Sequence, residues 1–280
     1  MIPPYELENL LRAAQQVNEF ASKNAHIFEI LRRAIEEAAR AAEVLAEEER
    51  EKQQITPFVE NDLCLAPSMP AELVEEIHRR HKDGQSVVEY VSGWYHADNW
   101  RALSDMVDPW EKNNYYKSRM HIIREALWTH QQGRYTASIA TLIPQIEGLV
   151  WDWAFGDDAV EQVLRKERER KKKRKQRTAS DDDGEFGLSD YETNLVTAVV
   201  GMLPATSLTR GEWTCMRSFV NFCNSLLYQP YRASTDHARL IDSTELSRHA
   251  FAHGTALAIG TEANSLRLFF ALDVLSLIRE

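Results

Sequence analysis

Glycine and proline are scarce in this 280-residue chain, at 11 and 9 residues. Strand-rich folds use them in tight turns, so their scarcity leans toward helices. Cysteine is scarcer still. Cys64, Cys215 and Cys223 form an odd set with no CxxC pair. That argues against a disulfide framework or a structural zinc site and points to a reducing cytoplasm. The longest apolar stretch, Leu266 to Ile278, is interrupted by Arg267 and Asp273 and is too short to span a bilayer. The opening MIPPYELENLL lacks a basic n-region and an unbroken apolar h-region, so no secretory signal is expected. Neither GxxxxGK[ST] nor GxGxxG occurs, which removes the common glycine-rich phosphate loops. The expected molecule is cytoplasmic, with no membrane contact.

What the chain does have is enough apolar material, 44% of its residues, to bury real cores. Its length fits one large domain or two small ones. The net charge of −10 hides an asymmetry. Residues 165–177, RKERERKKKRKQR, hold ten basic and two acidic side chains, a local +8 that leaves −18 on the remainder.

Apolar residues recur at helical spacing along most of the chain. Leu7, Leu10, Leu11, Ala14, Val17 and Ala21 mark one helix. Ile27 to Leu45 continues the same period, and the two read as an antiparallel pair. Residues 55–70 carry three prolines and no period and read as a connector. Helical patterns resume at Pro70–His81 and near Val87–Tyr95. The aromatic segment Tyr90 to Trp100 reads as helix packing rather than a base-stacking surface. From Ser118 onward two helices follow on either side of Gly133, the second containing Pro144. Further helical patterns cover Asp190–Leu203 and Glu212–Leu227. Asp242 and Glu245 have capping-box spacing for a helix ending at His253–Gly254, and Thr261 can cap Glu262 to Ile278. No stretch shows sustained two-residue alternation, so the expected fold is all-α. An N-terminal helical region, 1–117, is followed by a helical domain, 118–280, with a charged insertion at about 163–187.

The segment LSRHAFAHG, Leu246 to Gly254, concentrates the chemistry. His249 and His253 have the i, i+4 spacing of helical zinc ligands, but Ala250 stands where a zinc protease needs its glutamate base. On a helix these two histidines lie about 40° apart, and Arg248 can share the same edge of a cleft. Two imidazoles and a guanidinium can move protons and hold phosphate.

Arg248, a polar residue directly after it, and His253 five positions on resemble the Rx4–6H motif of the HEPN superfamily. The helix Gly133 to Asp152, with its IPQIEG core, and the closing stretch from His253 to Ile278 resemble that family as well. The likeness covers about 118–280. It implies metal-independent RNA cleavage, with no cofactor, by a homodimer whose two motifs face each other, in a prokaryotic toxin–antitoxin or phage-defence setting. An antitoxin or regulatory protein is a further implied partner. By the same resemblance His253 is general base or acid for attack by the RNA 2′-hydroxyl, Arg248 steadies the developing charge, and His249 orients them. The product is a 2′,3′-cyclic phosphate. Histidine's ordinary pKa of about 6.5 suits proton transfer near neutrality, and a guanidinium can hold two phosphate oxygens.

Alternatives stand beside that reading. HEPN-like modules also bind nucleotides or proteins without cutting anything. Arg248 can pair with Glu147, and His253 can serve as a C-terminal helix residue favoured by the macrodipole. Within the basic run, Arg170, Lys171, Lys172, Lys173, Arg174 and Lys175 are candidate RNA-backbone contacts through counterion release. The run also fits a nuclear-localisation pattern, or a solvated insertion masked by the acids of TASDDDGE.

Overall fold

The computed structural model describes residues 12, 33, 40, 43, 46–156, 208–228, 239–252 and 254–278. The chain divides into two compact units, Met1–Gln53 and Gln54–Glu280. In the first unit the described residues are all helical. The expected antiparallel pair lies mostly outside them.

The second unit is built from helices; among the described residues there is no strand, in line with the all-α expectation. None of their helices is long and apolar enough to cross a membrane. Helix α1, Ala71–Lys82, buries Leu73 and Ile77, and four basic residues in its last turn complement the helix dipole. Helix α2, Val87–Val107, opens where the Ser86 hydroxyl accepts the Glu89 N–H. A 3₁₀ turn, Asp108–Lys112, and a single helical turn, Asn114–Lys117, lead to α3, Met120–Gln131. Helix α4, Tyr135–Gly156, contains Pro144 in its interior. Helix α5, Arg210–Phe222, starts at a full capping box between Thr209 and Glu212 and ends in a π turn, Cys223–Leu227. A short helix, α6, covers Arg248–Ala252, and α7 covers Glu262–Leu275.

Helix α7 is the axis of the unit. Its residues from Leu268 to Leu275 are all buried, and α2, α4 and α5 pack around it. A helix apolar on every side has to be central. Thr261 caps it as its position predicts, accepting the Asn264 N–H at 3.1 Å.

Two expectations need correction. Residues 55–70 are not a loose connector. Residues 55–59 are helical, and the stretch that follows is a strap that buries Leu63, Cys64, Ala66 and Met69. The Leu65 N–H donates to Ser218 Oγ on α5 at 2.8 Å, and the Ser68 N–H donates to Asp273 Oδ2 on α7 at 2.9 Å. Backbone groups that lack helical partners are satisfied here by side chains. The second correction concerns α6, which opens at Arg248 rather than near Asp242. Glu245 is held by Arg239, and the Ser247 hydroxyl accepts the Ala250 N–H instead.

Asp273 ties the strap to the axis. Besides Ser68 it accepts the Trp110 Nε1–H at 3.0 Å, and it is 3% exposed. Asp273→Ala orphans the buried Trp110 Nε1–H and removes the acceptor of the part-buried Ser68 N–H, so we expect a loss of about 2 kcal/mol, measurable by urea unfolding. A change under about 0.5 kcal/mol, as for an ordinary surface substitution, contradicts that role.

Candidate functional site

Arg248 stands at the first turn of α6, where Leu246 and Ala250 are fully buried and anchor the segment in the core. From there its side chain meets Glu147 in the IPQIEG stretch of α4. The Nε edge pairs with Oε1 and Nη2 donates to Oε2 at 3.1 Å, across 101 positions of sequence. The Nη2–Oε2 hydrogen bond gives the ion pair a direction. Arg248 and Glu147 keep 21% and 22% of their side chains exposed, so the pair sits at the surface edge. His249 is 8% exposed and faces inward, a position from which it can orient a neighbour but not meet bulk solvent. His253 lies outside the described residues, as do Arg170, Lys171, Lys172, Lys173, Arg174 and Lys175.

On the same helix Arg119 makes a second ionic contact. Its Nη2 donates to Asp152 at 2.6 Å and its Nη1 to Gln145 at 3.1 Å. The guanidinium lies across Gly148, where an added Cβ would approach Nη1 to 2.4 Å. The glycine of IPQIEG therefore admits an arginine against the helix beside Glu147.

A second polar cluster was not foreseen from the sequence. Within α2 the residues Ala97–Trp100 leave helical geometry, and Asp98, Asn99 and Trp100 adopt left-handed φ values of 50°, 52° and 66°. Such φ values are costly for a bulky side chain. The break seats Trp100 between His96 and His130, with ring centroids 4.5 and 4.3 Å away. His96 Nδ1 lies 3.3 Å from Glu262 Oε2, and the Tyr135 hydroxyl donates to the same oxygen at 2.8 Å. Burial and that hydrogen bond push the Tyr135 hydroxyl up to about 12. Below them His130 is completely buried, with Nδ1 2.8 Å from Ser265 Oγ, which donates to Ser138 Oγ at 2.9 Å. The His130 Nε2 has no hydrogen-bond partner among the described residues. Burial, with His96 adding to it, holds His130 down at about 3, so this imidazole is neutral at physiological pH.

The only sequence signal for this cluster is the pair Asp98–Asn99, residue types that enter the left-handed region more readily than most. The partners Glu262 and Ser265 are 166 and 135 positions away from their histidines, beyond any local pattern. No family model matches the chain, and neither a curated protein nor a solved structure does.

Proposed function

We propose that the protein is a metal-independent endoribonuclease of HEPN type that cleaves RNA through its 2′-hydroxyl, acting as a second-copy dimer in a prokaryotic toxin or phage-defence setting. What supports this reading is the place of Arg248, whose side chain keeps 21% of its surface exposed, five positions before His253 and against the IPQIEG stretch that shares the family resemblance. A guanidinium held in one orientation can meet a pentacoordinate phosphate without reorganising, which is the main source of electrostatic rate enhancement. In this scheme the His253 imidazole takes the 2′-hydroxyl proton as that oxygen attacks the adjacent phosphorus. The 5′-oxygen leaves with a proton from the partner copy's equivalent imidazole. Arg248 steadies the charge on the non-bridging oxygens, and His249 supports the site from below. The basic run at 165–177 supplies affinity for the backbone, and an antitoxin or regulatory protein is a natural further partner.

A second reading has its own support. Glu147 already meets the charge of Arg248, and His249 is enclosed, as expected of a non-catalytic helical module that binds a nucleotide or a partner protein. Purified protein incubated with total RNA, with and without EDTA and beside His253→Ala, separates the two. The endoribonuclease predicts cleavage that survives the chelator and disappears in the variant. Intact RNA in the wild-type lane, with binding retained, favours the module.

A further inference from the structure

The left-handed break in α2 and the histidine behind it act on each other. Asp98, Asn99 and Trp100 stand in succession at positive φ between two right-handed halves of one helix, a conformation that costs free energy at each L-residue. Asp98 and Asn99 are exposed, whereas Trp100 is 3% exposed, so the buried indole is what holds the turn. Its seat is the edge of His130, 4.3 Å away at 79° between planes, and the rings of Tyr135 and Phe269 close around the same imidazole at 5.2 and 5.6 Å. The polar groups facing His130 are His96 from α2, Tyr135 and Ser138 from α4, and Ser265 from α7. Glu262 of α7 is taken up by His96 and Tyr135, and no carboxylate pairs with His130 among the described residues. This seat accommodates a neutral ring. A proton would make both ring nitrogens donors, and Nε2 has no acceptor among the described residues. The new charge would also lie out of water with a second imidazole, His96, nearby.

We propose that α2 carries an acid-operated hinge: a proton on His130 releases Trp100 from its seat, and residues 98–100 relax from the left-handed turn to ordinary helical geometry. The released imidazole is solvated and takes its proton near the ordinary histidine value of about 6.5. The seated one takes it only at about 3, because burial penalises the charged ring. Opening therefore takes up a proton between those values, and the open population rises about tenfold for each pH unit below about 6.5.

Amide hydrogen exchange of the full-length protein between pH 7 and 4.5, each rate divided by its intrinsic value, reads the hinge directly. Protection of residues 96–104 should fall about 100-fold from pH 6.5 to 4.5. At pH 4.5 that exchange should be insensitive to low urea, whereas the buried amides of α7 should speed up with it, which separates local opening from global unfolding. His130→Asn should remove the pH response of the segment. At a fixed pH, the pair Asp98→Gly and Asn99→Gly should raise its protection about tenfold, because glycine enters the left-handed region freely and disfavours the relaxed helix. The pair Asp98→Ala and Asn99→Ala should lower it about tenfold, and both pairs fall at exposed positions that the core does not need. Protection that stays flat with pH, falls as steeply in His130→Asn, or follows α7 in urea would overturn the proposal, as would equal protection in the glycine and alanine pairs. The readout is exchange alone, so it stands or falls independently of RNA cleavage.

Discussion

Arg248→Ala is expected to slow RNA cleavage by about 10²- to 10³-fold, the loss typical when one preorganised donor to a developing oxyanion is removed. Helical content should be retained, because α6 is anchored by Leu246 and Ala250 rather than by the arginine. Arg248→Lys should not restore the rate, since an ammonium lacks the planar fork that can face Glu147 and a phosphate together. Glu147→Gln should act more gently. It keeps the side-chain shape and one acceptor but loses the charge that orients the guanidinium, so kcat should fall about tenfold with KM nearly unchanged. That split identifies Glu147 as a positioning residue. If the pair is only a tie between α4 and α6, both substitutions lower the unfolding midpoint and leave any cleavage rate of the folded protein where it was.

Acid should destabilise the second unit through His130. In the unfolded chain this histidine takes a proton near its ordinary value of about 6.5. In the folded unit it does so only at about 3. Between those values the unfolded state binds more protons, so stability rises with pH across the window and is lost as pH falls through it. The slope has an upper limit of about 1.4 kcal/mol per pH unit, so lowering pH from 6.5 to 4.5 should cost about 2 kcal/mol. Asp273 works in the opposite sense. Burial raises its pKa, the folded state holds that proton more tightly, and acidification toward the unfolded carboxyl value relieves its desolvation. The comparison that isolates the imidazole is His130→Asn, which can still reach Ser265 and has nothing to titrate. Its unfolding free energy should be lower than wild type at pH 7 and should change less between pH 7 and 4.5. A variant as acid-sensitive as the wild type would assign the acid response to other groups.

The contrast between these two sites follows how each is written in the chain. The ends of α5 and α7 are legible because their caps are local: Thr209 with Glu212, and Thr261 with Asn264, lie within one turn. The Arg248–Glu147 pair spans 101 positions and could be anticipated only because both residues fall in the two most distinctive stretches. The strap was not legible. Its burial comes from single residues between prolines, each satisfied by a side chain on another helix, and such contacts have no period. Nor was the break in α2, because apolar spacing continues on both sides of Ala97–Trp100. The capping pattern at Asp242–Glu245 misled for a physical reason: the carboxylate it needs is taken by Arg239.

In the proposed reaction the Arg248–His253 segment breaks phosphodiester bonds through the 2′-hydroxyl. The most direct measurement follows a 5′-labelled RNA and the same oligomer carrying a single 2′-deoxy substitution at its mapped cleavage position, both in EDTA. The all-ribose strand should be cut to a 2′,3′-cyclic phosphate end, and the substituted strand should survive at that position. Cleavage of both strands at equal rates, or an untouched all-ribose strand, would contradict it.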